Sequence, residues 1–370
     1  MGLDDSPKCH PHIKVDDKIE FMLLGSKMPK EDFVIGITRT EEAALEYLIK
    51  VGVIRVPVVC GVCAMEVKRW YSKKDPLGQK VRCTRKAEHN KTIFGHRHWV
   101  SSIRVGSILE GSRLKYGWFI RFVYKWLLGT PRHSMVTQLG GSSETHADWH
   151  NYLTEVVSVC MDRRSERARQ IGGPGIIVQI DESKFGKRKY HKGKRVEGCW
   201  VFGGVEHIYH ENMKKWCAGR CFATVVPDRK RDTLLPILFK HVKAGSKIHS
   251  DAWKAYIGME KYPGYTYAEH KVVVHEKEYK SADGTHTNTC EGMWYSTFKK
   301  DIANNKYNAY ALPGELLRCM WKREVTREGS NLWTAFMYLL ANVEYDRQLN
   351  FTGTPPATPP KPKPARVSLD

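Results

Sequence analysis

IIVQIDESKFGKRK, residues 176–189, passes from apolar to acidic to basic within one short stretch. Ile176–Ile180 is a largely apolar run of strand length, and Asp181 and Glu182 follow it directly. In α/β sheets, ligands bind beyond the carboxyl ends of the strands, so a carboxylate there reads as a rim residue. Side chains alternate along a strand, which turns Glu182 to the face opposite Asp181 and leaves Asp181 as the candidate ligand. Lys184, Lys187, Arg188, Lys189, Lys192, Lys194 and Arg195 then crowd into what reads as the turn of a β-hairpin. Their charge suits a phosphate backbone.

Working outward, GGPG at 172–175 marks a change of texture. Strand-like runs follow at 176–180, 199–206, 221–226, 246–250 and 266–275. Helical spacing enters at 232–242, 252–259 and 287–303. Strands first, then strands alternating with helices, predict an α/β domain. Two more carboxylates sit at comparable places. Asp251, in SKIHSDAWKAY, follows a short strand and opens a predicted helix; Glu291 lies in a helix whose apolar stripe is Cys290, Met293, Trp294, Thr297 and Phe298. Singly, Asp181 reads equally as a turn cap, Asp251 as a helix N-cap and Glu291 as a solvated helix residue. Brought together, they repel unless a cation neutralises them. Mg²⁺ or Mn²⁺ suits oxygen ligands, and two such ions about 3.5–4 Å apart serve phosphoryl transfer.

The 370 residues carry 60 Lys and Arg against 40 Asp and Glu, a formal net charge of +20. That surplus points to a polyanion, with double-stranded DNA the expected partner. No apolar stretch is long enough for a membrane span, and the polar N-terminus lacks a signal-peptide core. Ten cysteines scattered through such a chain read as reduced thiols of an intracellular, non-secreted protein. N-terminal to the α/β region, TEEAALEYLIKVGVI reads as a helix capped by Thr40 and ended by Gly52. The apolar spacing from Leu114 to Met161 is helical, and a GG turn followed by a helix capped by Ser143 looks like a helix-turn-helix, or equally a helical hairpin that only packs.

IDESKFGKRKYHKGKRVEGCWVFGGVE, IHSDAWKAY and THTNTCEGMWYSTFKK together resemble the transposases of the Merlin superfamily, over roughly residues 40–350 and in the same order. The resemblance implies a ribonuclease H-like core in which Asp181, Asp251 and Glu291 are a DDE triad that cuts and joins DNA strands. It implies Trp253 and Tyr256 as matches to a family motif, with core packing the reading adopted for both. Family members often carry a Lys seven residues after the third acid. Here that position is Phe298, and Lys299 and Lys300 follow. His286 and Asn288 either contact the scissile phosphate or cap the helix of Glu291. The alternatives are a DNA-binding relic without catalysis and a nuclease that cuts without joining.

Cys60-Gly-Val-Cys63 has the spacing of half a zinc knuckle. The family's second cysteine pair is matched by Cys83 alone; His89 is the first candidate for the fourth ligand of one structural Zn²⁺, with His96 and His98 behind it, and the alternatives are a degenerate ribbon without metal or a pair of buried thiols. Lys68, Arg69, Lys73, Lys74, Lys80 and Arg82 surround it. The expected organisation is a poorly ordered lead-in (1–37), an N-terminal helix with a zinc-ribbon-like segment (38–100), a helical DNA-binding region (101–171), the ribonuclease H-like domain (172–350) and a Pro-rich tail (351–370). Holding two DNA ends calls for a homodimer or larger, in the nucleus if the cell has one.

Overall fold

The computed structural model describes residues 27–60, 63–83, 100–162, 170–186, 198–273, 286–303 and 310–342. They fall into two units: 30–121 with 340–370, and 1–29 with 122–339. The 101–171 stretch is therefore divided between them.

In the smaller unit, helices α1 (Glu31–Ile37) and α2 (Glu41–Lys50) precede an antiparallel sheet of β1 (Lys68–Ser72), β2 (Asp75–Arg82) and β3 (Val100–Ser102). Thr40 Oγ1 accepts the Ala43 N–H at 3.1 Å, and Glu41 and Glu42 occupy the first turn of α2, where the helix dipole favours them. Gly52 ends the helix with φ of 78°. Helix α1 lies inside the stretch expected to be a lead-in; its Phe33 packs edge-on against Tyr47, and its Val34 is buried.

Helix α3 (Tyr116–Leu127) runs through the division between the units. In the larger unit, α4 (Arg132–Leu139) and α5 (Ser143–Asp162) are joined by Gly140 and Gly141, both at positive φ. The cap of α5 is Ser142, not Ser143: its Oγ accepts the Thr145 N–H at 3.1 Å, and Ser143 is already helical. The solvent side of α5 carries Glu144, Asp148, Asn151 and Glu155. Phosphate would be repelled by that acidic face.

The main sheet has the order β6-β5-β4-β7-β8. Its strands are β4 (Ile177–Phe185), β5 (Cys199–His210), β6 (Lys215–Val226), β7 (Lys247–Asp251) and β8 (Glu269–Val273). Strands β4, β5 and β6 form an antiparallel meander, while β7 and β8 run parallel to β4. This mixed sheet is compatible with a ribonuclease H-like core. Alternation divides the two faces. Val178, Ile180, Phe202 and Phe222 pack with Leu234, Leu235 and Leu238 of α6 (Arg231–His241) on one side. On the other, Phe185, Val201 and Val205 pack under α7 (Asn288–Met293), a π-helical turn (Trp294–Lys299) and α9 (Leu312–Arg327). Helix α8 (Lys300–Ala303) continues from the π turn, and α10 (Leu332–Asn342) follows α9.

One expectation changes here. No helix forms over 252–259; the chain turns there, reaches left-handed Gly258 and makes a single 3₁₀ turn at Met259–Lys261. The GGPG stretch is held at its start, since the Gly172 N–H donates to Glu206 at 2.8 Å and the Gly173 N–H to Ser246 Oγ at 2.9 Å.

A buried charge network ties α5 to α9. Glu315 meets His150, and its Oε2 accepts from Arg318 Nε at 2.9 Å; Asp301 takes Lys322 at 2.7 Å. Burial alone would raise the Glu315 carboxyl, but His150 and Arg318 hold it down at about 2. Replacing Arg318, itself 1% exposed, would strand that carboxylate. Arg318→Leu is expected to cost about 3–5 kcal/mol in denaturant unfolding.

Candidate active site

Asp181 lies mid-strand rather than at the end of β4. Pairing with β5 carries β4 on to Phe185 opposite Cys199, whereas its pairing with β7 spans only 177–179. The sheet's rim therefore falls at Asp181 on the β7 side. Gln179 pairs with His249, so Asp181 and Asp251 each stand two residues past a paired position, on the same face. Helix α7 packs on that face and brings Glu291. Asp251 Oδ1 accepts the Trp253 N–H at 3.1 Å, which holds the turn after β7.

The charges interact. Burial first, then Asp251 and Glu291, push the Asp181 carboxyl from 3.8 up to about 7, against the pull of the Glu182 amide and the Trp294 indole. The indole N–H stands close enough to favour the anion but makes no regular hydrogen bond. A carboxyl raised by neighbouring carboxylates gains from any added positive charge, and this oxygen-only donor set fits a hard divalent cation. Among the described residues, only Cys60, Cys63 and Cys83 bring three ligand atoms within 4.8 Å of one another; the three carboxylates are set wider.

Gly203 pairs with Asp181 across the hairpin. A Cβ there would lie 2.6 Å from the Trp294 ring and 2.7 Å from the Phe222 carbonyl oxygen. The glycine is what lets the indole lie against the sheet beside Asp181. At Gly204 a Cβ would meet the Phe222 ring at 2.7 Å.

A π turn at Trp294–Lys299 shifts the phase of the helix after Glu291. In an unbroken α-helix the residue seven after Glu291 returns to its face; a π turn takes up one extra residue, so the eighth does. Phe298 is buried in the core, while Lys299 Nζ lies 4.6 Å from the Tyr295 ring centroid and 5.9 Å from that of Phe185. Burial pulls the Lys299 ammonium below its ordinary pKa, and Asp181 opposes the shift. Lys300 is exposed.

On the opposite face Glu182 is buried, accepts from the Tyr256 hydroxyl and lies 3.8 Å from Arg229. Burial, then Asp181 and Asp251, raise its carboxyl to about 8 against Arg229. The Arg229 guanidinium is sandwiched between Trp200 at 4.1 Å and Trp253 at 4.0 Å, and Lys184 Nζ stands 5.3 Å from Trp200. Lys184 belongs to β4 rather than to the hairpin turn. Lys187, Arg188, Lys189, Lys192, Lys194, Arg195, His89, His96 and His98 lie outside the described residues. His286 faces Gln179, and Asn288 is exposed; the helix-capping acceptor is Gln179 Oε1, not either of them.

Sequence reading missed Gln179 and Arg229. Gln179 shares the face of Asp181, so strand alternation would have flagged it. No local pattern marks Arg229.

In the smaller unit, the thiols of Cys60, Cys63 and Cys83 cluster, with Cys63 Sγ and Cys83 Sγ 3.7 Å apart. The Cys60 N–H bonds to the Met65 carbonyl at 2.7 Å, and Ala64, at φ 54°, closes the turn. The Met65 backbone favours the Cys63 thiolate, but burial and the two neighbouring thiols push it up to about 11. Three sulfurs so placed fit three corners of a tetrahedral zinc site.

The raised carboxyls have a measurable consequence. Folded Asp181 and Glu182 keep protons that the unfolded chain has released, so their contribution falls as pH rises from about 4 to 7 and 8. His207 and His249, pushed down to about 4 chiefly by burial, act in the opposite sense between 4 and 6.5. Above pH 6.5 the carboxylates act alone. In EDTA the melting temperature is expected to fall from pH 6.5 to 8; Asp181→Asn should shrink that fall, and millimolar Mg²⁺ at pH 8 should reverse it.

No curated protein and no solved structure matches the chain. Residues 171–307, the stretch carrying β4–β8 and all three carboxylates, match the family model of the ISXO2-like transposase domain, which supports a DNA transposase.

Proposed function

We propose that the chain is a DDE-type DNA transposase, similar to the Merlin superfamily, whose Asp181, Asp251 and Glu291 hold two Mg²⁺ or Mn²⁺ ions in a ribonuclease H-like core. The observation that carries this reading is Asp181, a half-buried strand carboxylate beside two others brought by β7 and α7. The antiparallel meander continued by two parallel strands supports the core assignment.

When bound, the cations supply charge neutralisation and Lewis-acid activation at the phosphoryl group. The protein's own part is to place ionised oxygen ligands and phosphate-holding cations. Asp181 and Asp251 are fixed to adjacent strands, and Glu291 to a helix pinned on their face. Lys299, beside Asp181, contacts the phosphate at the cut, with Lys300, His286 and Asn288 flanking it. Lys184 and Arg229 face DNA from the other side of the rim, and the hairpin bases at 187–195 hold its backbone. Water bonds to phosphorus in line as the P–O3′ bond breaks, and the 3′-oxygen takes a proton. That hydroxyl oxygen then bonds to a phosphorus of target DNA in line as the target's own P–O3′ bond breaks and the displaced 3′-oxygen takes the proton, with no covalent enzyme intermediate. Holding two ends calls for at least a dimer. In a cell with a nucleus, the substrate places the protein there.

Supercoiled plasmid incubated with Mg²⁺, Mn²⁺ or EDTA tests the reading. Nicking or joining should require the metal and disappear in Asp181→Asn and Glu291→Gln while DNA binding persists. Tight binding with no strand breakage under either metal, on DNA bearing the element's own ends, selects the DNA-binding relic instead.

The thiols of Cys60, Cys63 and Cys83 are proposed to hold one structural Zn²⁺, with His89 as the fourth ligand. Elemental analysis of the purified protein should find about one zinc per chain, and Cys63→Ser should lose it.

A further inference from the structure

Gln179 is fully buried on β4, two residues before Asp181 and on the same face. Its Oε1 accepts two backbone N–H groups at the start of α7, Thr289 at 3.0 Å and Cys290 at 3.2 Å. Its Nε2 donates to His286 Nδ1 at 3.3 Å. Around it, Thr289 Oγ1 lies 2.9 Å from His207 Nδ1, and the His207 ring meets His286 edge-on at 4.9 Å and stacks on Trp216 at 4.5 Å. The N-cap residue of α7, Thr287, makes no side-chain cap bond. The amides at the head of this helix, which would be costly to leave unmet in a buried site, are instead satisfied from another element.

We propose that Gln179 is a positioning residue: one side chain ties the strand that carries Asp181 to the helix that carries Glu291, and so sets the two carboxylates relative to each other. Glu291 directly follows Cys290, so displacement of the first turn moves it. Glutamine supplies the combination required, one oxygen for two amides and an N–H for an imidazole. The inference rests on reading Asp181 and Glu291 as joint metal ligands, and the test separates the two claims.

The comparison is wild type, Gln179→Met, which has similar reach but no acceptor, and Gln179→Asn, which keeps the amide one methylene short. Amide hydrogen exchange at Thr289 and Cys290 is read in EDTA, and Mn²⁺ binding is titrated separately without DNA. Both variants are expected to speed exchange at these two amides about tenfold and to raise the Mn²⁺ midpoint about tenfold, with DNA affinity in EDTA unchanged. Should Gln179→Met fail to fold, Gln179→Asn carries the test. Should neither fold, pH-dependent exchange of the two wild-type amides decides it, because unprotected amides would rule out the clip. Unchanged exchange and an unchanged midpoint in a folded variant would overturn the proposal, as would faster exchange with an unchanged midpoint. A wild type that binds no Mn²⁺ would instead refute the shared-ligand reading, while protection of the two amides would still show whether the clip exists.

Discussion

Asp181 cannot move away from Asp251 and Glu291. The first is fixed in a strand with partners on both sides, and the second ends an adjacent parallel strand and accepts the Trp253 N–H. The third rides a helix whose first turn is fastened to Gln179. Like charges in a flexible loop relax by separating. Here each charge belongs to a different rigid element, so the repulsion persists and, added to the larger effect of burial, leaves a carboxyl that holds its proton up to about pH 7. The rest of the domain can be read from that constraint. Gly203 and Gly204 thin the hairpin so that Trp294 and Phe222 can close against it, and Arg229 answers the neighbouring Glu182 from the far face.

Much of this was legible in the sequence. Asp181, Asp251 and Glu291 each follow or interrupt a recognisable apolar pattern, and the structure brings all three to one face. Glu182 turns away, as alternation requires. Boundaries fared less well. Strand β4 runs on through polar Asp181–Lys184 because β5 supplies backbone partners, and pairing, not side-chain hydrophobicity, sets strand length there. The DAWKAY stretch looked helical because Trp253, Ala255 and Tyr256 are apolar, yet they anchor turns. Ser143 was a fair cap by composition, but it is already helical, and Ser142 supplies the hydroxyl that accepts the Thr145 N–H. Contacts between distant segments left no local trace: Gln179 with Thr289, and Arg229 with Trp200, depend on the finished sheet.

The cysteine cluster poses the same physical problem in sulfur. The Met65 backbone favours the Cys63 thiolate, but burial first and then the neighbouring thiols make it resist ionising. In both places a rigid frame concentrates groups of one kind, oxygen in one unit and sulfur in the other. Hard and soft donor sets are thereby kept apart in the chain. The acidic outer face of α5 stands against the strongly basic chain as a whole, which confines the cationic surface to other elements.

The π turn between Glu291 and Lys299 carries a lesson about counting. A helix is a clock that advances about 100° per residue, so one surplus residue is a phase error unless the helix widens locally to absorb it. Here it does. Two chains can therefore present the same pair of side chains on the same helix face while their spacings disagree by one. A ruler laid along the sequence scores such a chain as having lost its lysine, whereas the helix has only kept different time.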